Sequence, residues 1–293
     1  MPELPEVETV RIGLKKLIIG KTIVNVSFDW PKSFPNDPQQ TAAFILNARI
    51  QNVRRRAKVL MIDVSTDYSL VIHLKMTGQL VYRGEQTFGA GHPNDSLVGD
   101  LPDKSTRVII TFADNSQLFF NDQRKFGWMR LIPTLEIPNI DFMKKVGPEP
   151  LEPSFTLQVF QDQLLRRKNT NIKAALLDQT VVAGIGNIYA DESLFMAGIH
   201  PKSIVGAIPK RRINLLHDSV VHVLQLSINK GGSTDKNYVN AEGKKGSYMS
   251  FAKVFRQEGN ICPNGCGSII EKIKVAGRGT HICKKCQKLY KVA

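Results

Sequence analysis

The sequence predicts an α+β protein of more than one domain: a helix-flanked antiparallel β-sandwich, a helical region, and a small tail stapled by cysteines. Three observations predict it. Short β-type runs, several alternating apolar and polar residues, crowd the stretch from Thr22 to Leu131. From Phe155 to Asn229 the apolar spacing becomes helical. All four cysteines lie beyond Ile261, in a segment too short and polar to build a core without a staple. At 293 residues the chain has room for two domains and an appendage. Its opening carries Glu3, Glu6 and Glu8 and no apolar signal-peptide region, and no run approaches the roughly 18 apolar residues of a membrane span. The expected location is the cytoplasm.

The elements follow in order. Val7, Val10, Leu14, Leu17 and Ile18 recur at helical spacing, which predicts a helix from about Pro5 to Ile19. Thr22–Phe28, Ile50–Arg55, Val59–Val64, Leu70–Leu74, Arg107–Phe112 and Gln117–Phe120 read as strands, with Ala113-Asp114-Asn115-Ser116 as a hairpin turn. Phe88–Lys104, rich in Gly, Pro, Asp and Asn, reads as a long loop. Ile132–Pro153 holds five prolines and reads as a linker. Helices are expected over Phe155–Arg167, Asn171–Gln179 and Ile188–Ala197, then from Pro209 to about Asn229, where Gly231-Gly232 ends the last one. The expected division is 1–133, a linker over 134–153, a helical domain over 154–249, and a tail over 250–293.

Several groupings carry chemistry. Removal of Met1 would leave Pro2 with a secondary α-amine, whose class titrates at roughly 7.7–8.0, so part of it is nucleophilic near pH 7. Such an amine condenses with an aldehyde-like carbon as a lysine Schiff base does, and Glu3 stands beside it to shuttle protons. A plain helix start accounts for Pro5, Glu6 and Glu8 but leaves Pro2-Glu3 unexplained. Cys262-x3-Cys266 and Cys283-x2-Cys286, sixteen residues apart, read as a closed four-thiolate zinc site with a structural role. Disulfides are the minority alternative in a cytoplasmic chain. Such a site would fold a basic hairpin carrying Arg278 between its knuckles.

Gly184-Ile185-Gly186-Asn187 offers backbone N–H groups to a phosphate at a helix start, although a tight turn needs glycine anyway. Lys58 falls at or near a hairpin turn after Arg54-Arg55-Arg56. Met76, in His73-Leu74-Lys75-Met76-Thr77-Gly78, and Phe126, in Asn121-Asp122-Gln123-Arg124-Lys125-Phe126-Gly127, sit in polar loops beside cations, the context of apolar wedges between base steps. The net charge of +14 points to a polyanion, and Phe251–Ala293 alone carries nine Lys/Arg against two Glu, half of that excess. Charge does not choose between nucleic acid, a ribosome and an acidic membrane surface.

Together these motifs resemble the formamidopyrimidine-DNA glycosylases, bifunctional repair enzymes for oxidised purines. The resemblance runs through PELPEVETV, RRRAKVL, HLKMTGQL, NDQRKFG, NIKAALLDQTVVAGIGNIYADESLF, AEGKKGSY and GRGTHICKKCQK, in the family's order and over nearly the whole chain. Endonuclease VIII relatives, which prefer oxidised pyrimidines, open with Pro-Glu-Gly-Pro-Glu, so Leu4 favours the purine branch. The resemblance implies a β-sandwich catalytic domain, a helix-two-turn-helix domain and a zinc finger holding one structural Zn²⁺. It implies damaged duplex DNA as partner and nucleoid association in a bacterial cell; the sequence carries no dinucleotide or P-loop signature, so no nucleotide cofactor is expected, and nothing in the motifs requires more than a monomer. By position it makes Pro2 the Schiff-base nucleophile, Glu3 the acid/base, Lys58 the proton donor for β-elimination and Arg278 that for δ-elimination. Met76, Arg124 and Phe126 match residues that fill the gap left by an extruded base. His73, Lys125, Lys168, Asn169 and Asn187 match DNA-backbone contacts, and Asn240–Tyr248 matches a loop that closes over the flipped base.

The chain departs from the family's pattern at three points. The first zinc knuckle has three intervening residues where two are usual. Ser105 stands where many members carry a DNA-contacting histidine, leaving Lys104 or Arg107 to supply that contact. Lys125 replaces a common arginine and gives up its bidentate fork. A rival reading is a zinc-ribbon protein that binds nucleic acid without catalysis. Pro2, Glu3 and Lys58 separate the two, because a binder needs no terminal amine beside a carboxyl.

Overall fold

The computed structural model describes residues 1–233 and 248–292, so all of the Asn240–Tyr248 loop except Tyr248 lies outside the described residues. The chain divides into two compact units, Met1–Lys144 with Lys230–Ser247, and Lys145–Asn229 with Tyr248–Ala293.

In the first unit, helix α1 (Leu4–Ile18) opens with a capping box: the Glu3 carboxylate accepts the N–H of Glu6, and the Glu6 carboxylate accepts the N–H of Glu3 at 2.8 Å. Val7, Val10, Leu14 and Ile18 form its buried stripe. The strands that follow are β1 (Ile23–Phe28), then β2 (Ile50–Arg56) after the short helix α2 (Pro38–Phe44), β3 (Val59–Val64), β4 (Tyr68–His73), β5 (Gly78–Arg83), β6 (Thr87–Gly91), β7 (Thr106–Phe112), β8 (Gln117–Asp122) and β9 (Trp128–Pro133). They build two antiparallel sheets, ordered β2-β3-β4-β9 and β1-β7-β8-β5-β6. The alternation of β3 explains the layering. Leu60, Ile62 and Val64 enter the core between the sheets, while Val59 and Met61 face outward against Ile137, Phe142 and Met143.

Two sequence expectations are corrected here. Phe88–Lys104 does not run as loop throughout, because Thr87–Gly91 pairs with β5. Its glycines mask the strand period. Phe88 is buried under α1 at Gly13, where a Cβ would come within 2.2 Å of the ring. Ile132–Pro153 is likewise structured at its start: β9 continues into a 3-10 turn over Thr134–Asn139 and a short helix, α3 (Asp141–Lys145). The unpaired edge of β9 is closed by Asn36, whose amide donates to the Met129 carbonyl (3.2 Å) and accepts from the Leu131 N–H (2.7 Å).

The second unit holds α4 (Leu157–Leu165), α5 (Ile172–Leu177), α6 (Asn187–Met196), α7 (Lys210–Asn229) and α8 (Tyr248–Phe251), followed by the hairpin β10 (Glu271–Val275) and β11 (Arg278–Ile282). Thr156 and Asn171 cap α4 and α5 with their side chains. Two buried acids on α6 hold the tail. Glu192 accepts three consecutive N–H groups, from Lys253, Val254 and Phe255, at 2.8–2.9 Å. Asp191 accepts the His281 N–H at 2.9 Å and pairs with Lys173, whose ammonium also reaches Thr280 Oγ1 at 2.7 Å. Lys173 and Asp191 are fully buried, so each depends on the other to offset its lost hydration. Among the described residues, no helix is long and apolar enough to cross a membrane. Asp191→Ala is expected to cost about 3–5 kcal/mol in denaturant unfolding, because it strands a buried ammonium; a loss under about 1 kcal/mol would mean that water reaches Lys173.

Candidate DNA-repair site

Strand register gathers the predicted residues of the first unit at one end of the sandwich. Val59 pairs with His73 and His73 with Trp128, which brings the Ala57-Lys58 turn, His73 and the end of the Phe126 loop to one end of the four-stranded sheet. In the other sheet Gly78 pairs with Asp122 and Asn121 with Thr106, which aligns the Met76 loop, the Arg124–Phe126 loop and the Lys104-Ser105 stretch.

Pro2 and Glu3 are buried at the head of α1. Lys58 is also buried, at a two-residue hairpin turn whose first residue, Ala57, has φ +52°. Glu8 ties that turn to the helix. It binds Arg11 and Arg55, and Arg55 donates to the Ala57 carbonyl at 3.0 Å. Burial works to raise the Glu8 pKa, but the two guanidinium groups outweigh it and hold the carboxylate below its ordinary value.

His73 is pushed down from 6.5 to about 3, first by burial and then by the charges of Lys75 and Lys58. Its Nδ1 accepts the Lys75 N–H at 2.9 Å, so the neutral ring carries its proton on Nε2, a donor suited to a phosphate oxygen. Arg124 and Phe126 are exposed and stack, with the guanidinium 4.9 Å from the ring centroid, whereas Met76 is half-buried. The exposed Lys125 lies over Trp30 at 4.6 Å, a partner that sequence reasoning missed because the two residues lie far apart in the chain.

Ser105 is buried. Its hydroxyl donates to Asp103 at 2.7 Å, so it is withdrawn from any contact with a ligand. Arg107 is buried too, donating to Asp29 and to the Lys104 and Asp122 carbonyls, which leaves Lys104 as the exposed cation of that stretch.

In the second unit Lys168 and Asn169 are exposed between α4 and α5. The N–H of Gly184 is taken by Gln179 Oε1 at 3.0 Å rather than offered outward. The Asn187 amide donates to the Gly279 carbonyl at 3.0 Å, next to Arg278. Arg278 is exposed at the start of β11, after a turn in which Ala276 and Gly277 both have positive φ.

The four cysteines converge, with all four Sγ atoms within 4.8 Å of one another. The pairs Cys262–Cys286 and Cys266–Cys283 stand 3.7 and 3.5 Å apart. Disulfide sulfurs lie about 2.05 Å apart, whereas sulfurs at about 2.3 Å from one tetrahedral ion lie about 3.8 Å apart. The donor set fits one structural zinc. The longer first knuckle is absorbed by left-handed glycines, Gly265 at φ +69° and Gly267 at +75°.

A β-sandwich with a buried proline–glutamate head, a helical domain and a four-thiolate hairpin define the class of helix-two-turn-helix DNA glycosylases. The formamidopyrimidine-DNA glycosylase N-terminal domain matches residues 1–129, the H2TH domain of that enzyme 146–238, and the zinc finger found in FPG and IleRS 259–289. The chain belongs to the formamidopyrimidine-DNA glycosylase family. It is 42% identical over 289 residues to the enzyme of Streptococcus pyogenes serotype M6, covering 98% of this chain and 99% of that one. It is 40% identical over 291 residues to that of Desulforamulus reducens, covering 98% and 99%. A Lactococcus lactis FPG mutant in complex with Fapy-dG containing DNA superposes with TM-score 0.86 at 37% identity, covering 98% of this chain and 100% of that one. The wild-type L. lactis protein with an oxidised pyrimidine containing DNA gives 0.85 at 37% identity, with the same coverage.

Two outcomes are expected. Chelation should release one zinc per chain and expose the amides of β10 and β11 to hydrogen exchange while those of α6 and α7 stay protected; hairpin protection that survives zinc loss would contradict a structural role. Titration of His73 by NMR should find a neutral ring down to about pH 4. Because its folded pKa lies below its unfolded one, its contribution to stability is complete above about pH 6.5 and drains as pH falls towards 3. A ring that charges near pH 6.5 would remove the basis for the neutral donor.

Proposed function

We propose that the chain removes oxidised purines, 8-oxoguanine and formamidopyrimidines, from duplex DNA and cleaves the resulting abasic site by β,δ-elimination through Pro2. As a member of its family it is a base-excision repair glycosylase with abasic-site lyase activity. The observation that carries the finer reading is the buried Pro2-Glu3 pair, with the Glu3 carboxylate locked at the first turn of α1 by the capping box.

With Met1 removed, the Pro2 amine attacks C1′. The glycosidic bond breaks and its electron pair leaves with the base, which takes up a proton. Opening of the sugar protonates O4′ and leaves a C1′ iminium on Pro2, with Glu3 handling these protons. The iminium acidifies C2′–H; loss of that proton forms C2′=C3′ and expels the 3′ phosphate, Lys58 supplying the proton. Loss of the C4′ proton then expels the 5′ phosphate, Arg278 acting as donor, and water hydrolyses the iminium to return the amine. No electron acceptor is required at any step.

Extrusion of the base costs a few kcal/mol, offset by Met76 and Phe126 filling the gap and Arg124 facing the orphaned base, which favours cytosine there. His73, Lys125, Lys168, Asn169 and Asn187 hold the backbone, joined by Lys104 in place of Ser105. The catalytic role falls to 1–133, the main DNA grip to 154–249 and the zinc finger to 250–293. A protein that acts on DNA would work in the cytoplasm, at the nucleoid in a bacterial cell.

Borohydride reduction on a duplex holding one 8-oxoguanine opposite cytosine should trap a covalent adduct that maps to Pro2, in protein whose N-terminus is verified by mass spectrometry. Protein with a retained N-terminal extension should give none. Processed, zinc-loaded protein that binds this duplex and duplexes with formamidopyrimidine or oxidised pyrimidine, yet yields neither adduct nor cleavage, would leave a DNA binder.

A further inference from the structure

We propose that Asp122 is the positioning residue that couples the two loops of the gap-filling side chains, so that Met76, Arg124 and Phe126 act as one preformed unit. The inference rests on the gap-filling reading of those three residues given above.

Asp122 is fully buried, and its carboxylate is directed at loop groups. Oδ1 accepts the Thr77 hydroxyl and the Arg124 N–H at 3.2 Å. Oδ2 accepts the Phe126 N–H at 2.8 Å and the Gly127 N–H at 2.6 Å. Thr77, beside Met76, closes the bridge by accepting the Arg124 N–H at 3.1 Å. One carboxylate therefore fixes the loop before β5 and the loop after β8.

The residue is itself immobilised. Its N–H donates to the Ser105 carbonyl at 2.7 Å, its carbonyl accepts from Arg107 Nε at 3.0 Å, and its strand pairs with Gly78. Lys125, at the apex of the second loop, is held at φ +57°, a conformation that costs energy for a lysine and needs bonds on both sides to persist. Gly127 is fitted to this arrangement, since a Cβ there would come within 2.6 Å of the Phe120 ring and 3.1 Å of Asp122 Oδ2.

A carboxylate is the side chain this task requires. It presents acceptors only, on both oxygens, and its bonds to N–H groups are charge-assisted. Asparagine would keep one acceptor oxygen and aim an NH₂ at N–H donors. A loop ordered in advance does not lose its conformational freedom at the moment the base leaves the stack. The effect of Asp122 therefore belongs to base extrusion. A preformed abasic site has no base to extrude and should depend on it little.

The test uses full-length, zinc-loaded protein with Met1 removed, under single turnover. The substrates are one duplex carrying 8-oxoguanine and the same duplex carrying a preformed abasic site. Asp122→Asn is expected to slow lesion excision about tenfold or more relative to abasic cleavage. Thr77→Val should shift the ratio the same way by less, and Thr77→Ser should restore it, which keeps the test open if Asp122→Asn folds poorly. Equal loss on both substrates in the folded variants, or no loss, would overturn the inference. Phe126→Ala separates the two readings. If it lowers the ratio while Asp122→Asn and Thr77→Val do not, the coupling is wrong and the gap-filling role stands. If it too leaves the ratio unchanged, the gap-filling role falls and the inference falls with it.

Discussion

Asp122 and Glu192 meet the same physical demand: a carboxylate taken out of water must recover its hydration from the protein. Each does so from clustered backbone N–H groups, Glu192 from the consecutive residues 253–255 and Asp122 from Arg124, Phe126 and Gly127. Hydrogen bonds to a charged acceptor contribute about 1.5–3 kcal/mol each, and the alternative is an unpaired buried charge. The acid therefore holds the loop as firmly as the loop shields the acid. Burial pushes the Glu192 pKa up, while the N–H groups of Lys253, Phe255 and Val254 act against that shift. Glu3 and Glu6 repeat the device at the head of α1, where a reciprocal pair of carboxylates fixes the turn next to Pro2.

Regular structure does the coarse placement and these acids the fine placement. Antiparallel register puts several loops at one end of the sandwich, but register alone fixes a loop only at its two stems. Between the stems, Lys58 is set through Glu8, Arg55 and the Ala57 carbonyl, and Phe126 through Asp122. The buried Lys173–Asp191 pair does the same for the zinc hairpin, reaching Thr280 and His281 two and three residues beyond Arg278. Side chains proposed to meet a polyanion thus stand on backbone that other, buried charges have already ordered.

Much of this was legible in the sequence, for identifiable reasons. The zinc site was readable because thiolate pairs at short spacing have few other uses, and their sulfurs converge as expected. α1 was readable because one face is wet and one dry, and Val59–Val64 because a short, nearly continuous apolar run of that length reads as a strand buried on both faces. β5, β6 and β9 went unread: five of the six residues of β5 are buried, so no alternation survives, and β6 is written in glycine and alanine where α1 presses close. Asp122 stood inside a motif with a role evident for Arg124 and Phe126, yet nothing in its neighbours distinguishes a buried hub from a solvated acid. Its meaning depends on Thr77, forty-five residues away.

The two substitutions at surface positions of the family's pattern resolve differently, and the contrast is physical. The short hydroxyl at 105 turns inward to the Asp103 carboxylate, which also accepts the Ser96 hydroxyl, while the Asp103 N–H donates to the Thr106 hydroxyl. The exposed charge moves one residue back, to Lys104. Lysine at 125 keeps the charge but loses the planar fork that would orient it. Orientation comes instead from the Trp30 ring, which limits where a flexible ammonium can go while leaving its donors open to an anion. Trp30 can serve because Asp29, its neighbour, is anchored by Arg107, the same guanidinium that holds the Asp122 carbonyl. The replacement at 125 is thus tied to the interior that fixes the gap-filling loops: a point charge has been substituted for a fork, and its position is set by the fold rather than by its own shape.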